Sequence, residues 1–505
     1  MSTSVVISSS INTQGISPVE VEVSLNNGLP YYNIVGLADS SIKESRERVK
    51  FAIKNSNILW PNKRITVNLS PAWLSKKGST FDLAIAIGIL QASSIISTKY
   101  KIAAWGELSL YGEIKSVPQA LALTHAFVDS DIDFVILPKD AKTNVSKFLK
   151  NILYFSTLNE LISFFNTYPE IDNSLVYAED TNNSEDFPEE FLLPIDIQAA
   201  AWRACQLAIA GGHNFLMLGS AGSGKTTLGR ASRLLMPKMG FNEVYNSAVK
   251  YSALGLESAN ESGFNFREPH HSITRAAMIG GSYKYPLGEV SLADGGLLFL
   301  DEIFMFNRDV INQLRKIMDD AYIERFINGD IVKIESDFIL IAASNPCNCG
   351  EYFEEDSVCT CSDTVIKRFR DKLSDPFFDR FDLFVTVNRI PNEELEKSVT
   401  VNAVDPQKYR KLVNEARDMQ ASRYANTDED IKLNSRVSIS TFKEHMNISD
   451  DNFRMFNDIS NNFKLSIRVY QSVLRLSRTI ADFNQHENIE LEDLLEAFSY
   501  RKVDI

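Results

Sequence analysis

Three short stretches of this chain hold residue types that could do chemistry together. "GSAGSGKT", Gly219 to Thr226, satisfies G-x-x-x-x-G-K-[ST] at every fixed position. Its glycines let backbone N–H groups turn inward around phosphates, and the start of a following helix adds a positive dipole end. Gly219, Ser220, Ala221, Gly222, Ser223, Gly224, Lys225, Thr226 and Thr227 are therefore the candidate nucleotide contacts. Lys225 has the reach for the β and γ phosphates, and Thr226 can ligate Mg²⁺. "GGLLFLDE", Gly295 to Glu302, ends a buried strand in two acids: Asp301 to hold Mg²⁺ through water, Glu302 to polarise an attacking water. "FILIAASNP" ends a third strand in Asn345, which either senses the γ-phosphate or orients the attacking water, or else simply forms the turn before Pro346. In "DPFFDRFDL", Arg380 is either a salt-bridged arginine or a finger reaching a neighbouring subunit's γ-phosphate, which requires a ring. Arg468, in "KLSIRVYQSVLRLSRTIADF", could approach the nucleotide from a helical lid, but its spacing equally suits a solvated helix face.

A fourth stretch concerns metal. "NPCNCGEYFEEDSVCTC", residues 345 to 361, holds four of the five cysteines: Cys347, Cys349, Cys359 and Cys361. Two C-x-C pairs supply four thiolates, the complement of a closed tetrahedral Zn²⁺ site, and such a site is structural because no position stays open. Unmetallated thiols or a redox pair are the alternatives. Cys205, in "AWRACQLAIA", reads as a small core residue.

The elements that must position these residues follow from length and pattern. At 505 residues two or three domains are expected. Residues 1–172 mix strand-like stretches such as "VEVEVSL" and "RITVNLS" with the helical "SSIKESRERVKFAIKNS". Residues 173–193 are acidic and Asn/Ser-rich, as in an exposed linker. From 194 to 390 apolar strands alternate with helices and Gly-rich turns, the pattern of a parallel α/β domain, and 391–505 reads as helical. The N-terminus lacks a signal peptide's pattern, and the longest apolar run, "FDLAIAIGILQASSII", is too short and polar to span a membrane. A cytoplasmic location is expected, where clustered cysteines bind metal more often than they form disulfides. The net charge of −14 speaks against a simple nucleic-acid binder, but ten acids and no Lys or Arg lie between Lys150 and Arg203. Without that stretch the balance is −4, so local basic patches remain open.

"REPHHSIT", "PLGEVSLADGGLLFLDE", "AASNPCNCG", "LSDPFFDRFDL" and "LSIRVYQSVLRLSRTIAD" together resemble the magnesium-chelatase-like AAA+ ATPases. "GLPYYNIVGLADSSIKESRERVKFAI" and "NLSPAWLSKKGSTFDLAIAIGIL" place the resemblance in the ComM/YifB branch and extend it over nearly the whole chain. The resemblance implies a Lon-protease-like α+β domain, an AAA+ P-loop core and a C-terminal helical lid. It also implies a hexameric ring with ATP sites between subunits, and a DNA motor extending recombination joints during uptake of foreign DNA. Lys225, Thr226, Asp301, Glu302, Asn345, Arg380 and Arg468 take the roles given above. The insertion between Gly219 and Asp301 contains Lys250, Arg267, His270, His271, Arg275 and Lys284. "ERFINGDIVKIE" reads as a hairpin turning at Asn328 and Gly329. Such a hairpin lines the pore of related ring helicases. Its tip carries Asp330 rather than a lysine, which leaves Arg325 and Lys333 as the candidate DNA contacts on its arms. Interface pairing competes with DNA contact for all these cations.

A Lon-type protease needs a hydroxyl beside a lysine of depressed pKa. The matching positions are Thr80, with Ser79 beside it, and the vicinity of Leu121, where the nearby lysine is Lys115. No dyad is readable, so the fold is expected without the protease. The rival functions are a chelatase-type ATPase remodelling a protein partner, a Lon-like protease, and a nucleotide-gated scaffold.

Overall fold

The computed structural model describes residues 2–12, 15–36, 40–72, 76, 78–128, 130–141, 145, 151–168, 198–256, 264–281, 287–327, 330–347, 349–352, 359–373, 376–389, 406–429 and 432–501. The expected linker, Lys284 and the turn residues Asn328 and Gly329 lie outside them. The chain forms two compact units, and these do not follow a single cut in the sequence. One comprises Met1–Glu185 together with Val244–Glu261 and Ser282–Pro286; the other holds Asp186–Glu243, Ser262–Gly281 and Leu287–Ile505. The second segment of the first unit was expected to belong to the ATPase region.

In the first unit a mixed seven-stranded sheet runs β3-β4-β2-β1-β5-β8-β9. The strands are β1 (Ser2–Asn12), β2 (Gly15–Asn26), β3 (Tyr31–Val35), β4 (Arg64–Ser70), β5 (Ile102–Ala104), β8 (Phe134–Pro138) and β9 (Ile152–Phe155). β6 (Glu107–Leu108) and β7 (Ile114–Lys115) form a separate short pair. The stretches "VEVEVSL" and "RITVNLS" are the paired β2 and β4, whose alternating valines and leucines enter the core. The apolar run is the helix Asp82–Ala92, buried nearly all round, with Asp82 held by Arg48 at 2.7 Å. Among the described residues no helix is long and apolar enough to cross a membrane. Ser79 hydrogen-bonds Glu107, and Lys115 is half-exposed beside Glu113 at 3.5 Å. Lys76 is buried and donates to the carbonyls of Gly36, Leu69 and Pro71. Ser79 and Lys115 are thus each engaged by an acid, and Lys76 by backbone carbonyls.

Val244–Ala253, most of the helix Phe241–Ala253, packs within this unit. Ala248 and Val249 join the cluster of Trp105, Leu121 and Leu137. Its polar side is tied as well: His125 meets the Tyr245 hydroxyl at 2.7 Å, and Gln119 donates to the Ala253 carbonyl at 3.1 Å.

The second unit is built on a parallel sheet of order β11-β12-β15-β10-β16. Its strands are β10 (Phe215–Gly219), β11 (Phe266–Arg267), β12 (Leu297–Leu300), β15 (Ile339–Ser344) and β16 (Leu383–Val387). β10, β12 and β15 are buried at every residue, as central strands covered by helices on both faces must be. Gly229 makes one of these contacts possible. A Cβ there would come within 2.2 Å of the Phe299 ring, so only glycine lets the helix Lys225–Ala231 lie against β12. β13 (Tyr322–Ile327) and β14 (Asp330–Glu335) form the expected hairpin.

The C-terminal region is helical: Pro406–Arg423, Ile439–His445, Asp450–Asn462, Ile467–Phe483 and Leu491–Ser499. Ser438, Ser449 and Ser466 cap three of these helices through their hydroxyls. The buried Asp482 binds Arg423, Arg478 and Asn434, which ties the helices to one another without leaving a buried charge alone.

Candidate active site

β10 delivers the phosphate loop at the carboxyl edge of the sheet. Gly222 and Gly224 have φ of 79° and 90°, the left-handed region glycine tolerates, and the space where their side chains would stand is open. Lys225 is buried and folded back on its own loop. Its Nζ donates to the carbonyls of Gly219 (2.9 Å) and Ser220 (2.6 Å) and to Ser223 Oγ (3.3 Å). These are the contacts an anionic ligand would replace. Thr226 Oγ1 donates to Asp301 Oδ2 at 2.7 Å, so the two expected Mg²⁺ contacts meet across β10 and β12. The glycine cradle, Lys225 and this pair fit ATP and Mg²⁺.

Glu302 follows at φ 52°, a conformation costly for a residue with a side chain and typical of functional sites. Its Oε2 lies 3.3 Å from His271 Nδ1, and His271 packs against His270 with ring centroids 4.1 Å apart. Glu302 and Asn345 line one cavity of about 430 Å³ with Cys347, Arg368 and Lys372. Glu302, the strand-end asparagine and the first cysteine thus border a common space. His271 as the partner of Glu302 was not legible in sequence; the adjacent histidines of "REPHHSIT" were its only sign.

Arg380 and Arg468 are brought together, away from the phosphate loop. Arg380 is 8 % exposed and bonds both carboxylate oxygens of Asp319, with further bonds to the carbonyls of Arg315 (3.2 Å) and Pro376 (2.6 Å). Arg468 donates to the same Asp319 carboxylate. Arg380 precedes Leu383, which pairs with Phe215 at the amino end of β10, whereas the phosphate loop leaves from Gly219 at the other end. Both arginines therefore sit at the sheet edge opposite their own phosphate loop. An approach of Arg468 to its own chain's nucleotide does not match this placement. Nothing in the sequence singled out Asp319, one of three acids on the amphipathic helix Arg308–Asp320.

The four cysteines converge. Cys347 and Cys349 sulfurs are 3.3 Å apart, Cys347 and Cys359 3.7 Å, Cys349 and Cys359 3.5 Å, and Cys349 and Cys361 3.4 Å. All four sulfurs lie within 4.8 Å of one another. Burial pushes the Cys347 thiol up to about 12, while the N–H of Glu351 draws Cys349 down to about 6. Cys205 is buried in the core, as expected.

The candidate DNA contacts scatter. Arg325 donates to the Ile279 carbonyl at 3.0 Å and lies against Gly280, so it holds the hairpin to its own unit. Arg267 is paired with Glu289 at 2.5 Å, Lys333 lies 4.2 Å over the Tyr322 ring, Arg275 is exposed, and Lys250 is in the first unit. The hairpin instead presents Phe326 and Ile331, directly cross-paired and 77 % and 65 % exposed.

Family models match along most of the chain: magnesium chelatase subunit ChlI over residues 192–395, subunit ChlI of Mg-chelatase over 21–141, and the C-terminal region of magnesium chelatase subunit ChlI over 404–501. The chain is 33% identical over 494 residues to the uncharacterized protein YifB of Escherichia coli, covering 96% of this chain and 94% of that one. Competence protein ComM of Haemophilus influenzae is similar to the same degree: 33% over 494 residues, with 96% and 94% covered. YifB of Salmonella typhimurium is 32% identical over 503 residues.

Proposed function

The chain belongs to the magnesium-chelatase-like AAA+ family, in its ComM/YifB branch, and from that premise we propose that it is an ATP-hydrolysing ring motor acting on DNA. The observation that carries the ATPase reading is the meeting of Lys225, Thr226, Asp301 and Glu302 at one sheet edge. Bound Mg·ATP supplies the γ-phosphoryl group and the charge that neutralises the phosphates. Lys225 exchanges the Gly219 and Ser220 carbonyls for phosphate oxygens. Glu302, oriented by His271, takes the proton of the attacking water at its carboxylate. Asn345, across the shared cavity, orients that water.

Arg380 and Arg468 act on a neighbouring subunit's nucleotide, which explains why they stand together opposite their own site. A closed ring, a hexamer by family likeness, supplies such a neighbour. The exposed Phe326–Ile331 pair supports a hairpin that touches DNA, since an aromatic face stacks on unpaired bases of any sequence. The Haemophilus relative bears the name competence protein, in keeping with a role in natural transformation; the reading extends from there to branch migration in recombination, in the cytoplasm. The four thiols are read as a structural zinc site.

A second reading is a chelatase-type ATPase that remodels a protein partner, favoured by family models that bear the chelatase name over all three matched segments. The test is unwinding of labelled forked and four-way DNA by the full chain with ATP and Mg²⁺. Lys225→Ala and Glu302→Gln should abolish it. ATP hydrolysis with neither DNA binding nor DNA stimulation would reject the motor and leave the remodeller.

A further inference from the structure

The cysteine cluster is not an appendage of the ATP site. Asn345 and Cys347 are separated only by Pro346, and all three line the cavity that also contains Glu302. On the other side of the same loop, Gly350 is buried with φ 81°, its N–H bonded to the Cys347 carbonyl at 3.1 Å. A side chain at Gly350 would come within 3.1 Å of the Ala221 backbone nitrogen and 3.6 Å of Ser220 Cα. Gly350, directly after the second cysteine and bonded back to the first, is thus pressed against the backbone of the phosphate loop. Ser220 and Ala221 are residues of the loop whose backbone N–H groups must be aimed at phosphates.

The sulfur geometry says what fills the cluster. Four ligands at about 2.3 Å around a tetrahedral ion stand about 3.8 Å apart. Four of the separations here are 3.3 to 3.7 Å, with every pair within 4.8 Å. A disulfide needs about 2.05 Å, and all four thiols are free. A multi-iron cluster holds its cysteines farther apart than a single ion does.

Building on the nucleotide site and the zinc reading above, we infer that zinc held by Cys347, Cys349, Cys359 and Cys361 is a positioning element of that site. It fixes the turn at Gly350 that backs the phosphate loop and the strand end that presents Asn345. Zinc occupancy therefore sets nucleotide affinity, not only local stability. The four thiolates and the ion make a closed site, so the zinc takes no part in the chemical step.

The test uses the full chain purified without chelator. Metal analysis should find about one zinc per chain and no stoichiometric iron. Binding of a fluorescent ATP analogue is then measured for wild type, Cys359→Ser/Cys361→Ser and Gly350→Ala. The double variant should lose zinc and bind the analogue roughly 10–100-fold more weakly. Gly350→Ala should keep its zinc and still bind roughly tenfold more weakly, because it moves the turn without touching a ligand. Iron in place of zinc, or no metal, overturns the site. Unchanged nucleotide affinity in Gly350→Ala, or in a folded zinc-free double variant, overturns the coupling. If the double variant lacks a folded circular dichroism signal, wild-type metal content and Gly350→Ala decide the two points between them. None of these readouts involves DNA, so failure of the motor reading leaves them interpretable.

Discussion

If Arg380 and Arg468 serve a neighbour's nucleotide, subunit mixing gives a numerical result. β16 runs beside β10 for five residues, Leu383 to Val387 against Phe215 to Gly219. At about 3.3 Å per step, roughly 13 Å of strand separates Gly219 from the end near which Arg380 lies. Arg380 is also anchored away from the loop, on Asp319, with Arg468 on the same carboxylate. On that reading each ATP site joins one chain's phosphate loop to another chain's two arginines. Arg380→Ala alone should lower ATP turnover by roughly 10³-fold or more, the usual worth of an arginine finger. Lys225→Ala alone should be inactive. When the two variants are mixed in equal amounts and assembled randomly, half the sites keep a phosphate loop and half of those face intact arginines. Turnover should recover to about a quarter of the wild-type value. Arg468→Ala mixed with Lys225→Ala should recover likewise. Arg380→Ala mixed with Arg468→Ala should not recover, because every interface then lacks one of the two guanidinia. The assay is steady-state phosphate release at saturating ATP, with a tagged subunit confirming mixed assemblies. Recovery to a quarter in the last mixture would place Arg468 at its own chain's nucleotide. No recovery with Lys225→Ala would remove both arginines from the intersubunit site.

Three further outcomes follow from the geometry. His271→Ala should lower kcat about 3–10-fold with KM unchanged, and His271→Asn should restore part of it, because the side chain positions Glu302 rather than touching the nucleotide. Gly229→Ala should destabilise the ATPase unit by about 1–3 kcal/mol, read as a lower melting temperature, since a methyl group would overlap the Phe299 ring. Burial pushes the Asp382 carboxyl up, but His213, Ser472 and Arg501 outweigh it and hold it at about 2. Its folded value is depressed, so its contribution of about 2 kcal/mol is full above pH 4 and fades as pH falls toward 2. Asp382→Asn should therefore destabilise at pH 7 and become nearly neutral near pH 2 in thermal melts.

How legible each part was depended on the range of the interaction that fixes it. The phosphate loop, β12 with its acids and β15 are local patterns: a strand of four to six apolar residues and the polar residues at its end. They appear where the local pattern predicts them, and Thr226, at the start of the helix after β10, meets Asp301, just past β12, although β15 runs between the two strands. The cysteines were legible because four soft ligands in seventeen residues have few other uses. Tertiary partners were not. Asp319 could be found only once the helix Arg308–Asp320 had returned the chain to the far sheet edge. Arg325 looked free in sequence because its acceptor, the Ile279 carbonyl, is a backbone group 46 residues away. The exposed Phe326 gives no sign in the sequence, where charge is the signal of a DNA contact and an aromatic in a strand reads as core. The helix Phe241–Ala253 read as part of the ATPase insertion; its apolar residues Ala248 and Val249 gave no sign of which core they enter.

That helix also sets an order of events on the ribosome. In the N-terminal segment of the first unit the last described helix ends at Thr167, yet the unit's core is completed by Val244–Ala253. At ordinary synthesis rates of 5–20 residues per second, about 75 residues and roughly 4–15 s separate the two. During that interval the nascent sheet presents Trp105 and Leu121 with no cover from Ala248 and Val249. The phosphate loop is made within the same window. The first unit therefore cannot finish folding as an autonomous N-terminal module. A gene fragment cut in the acidic stretch would yield a domain missing one wall of its own core.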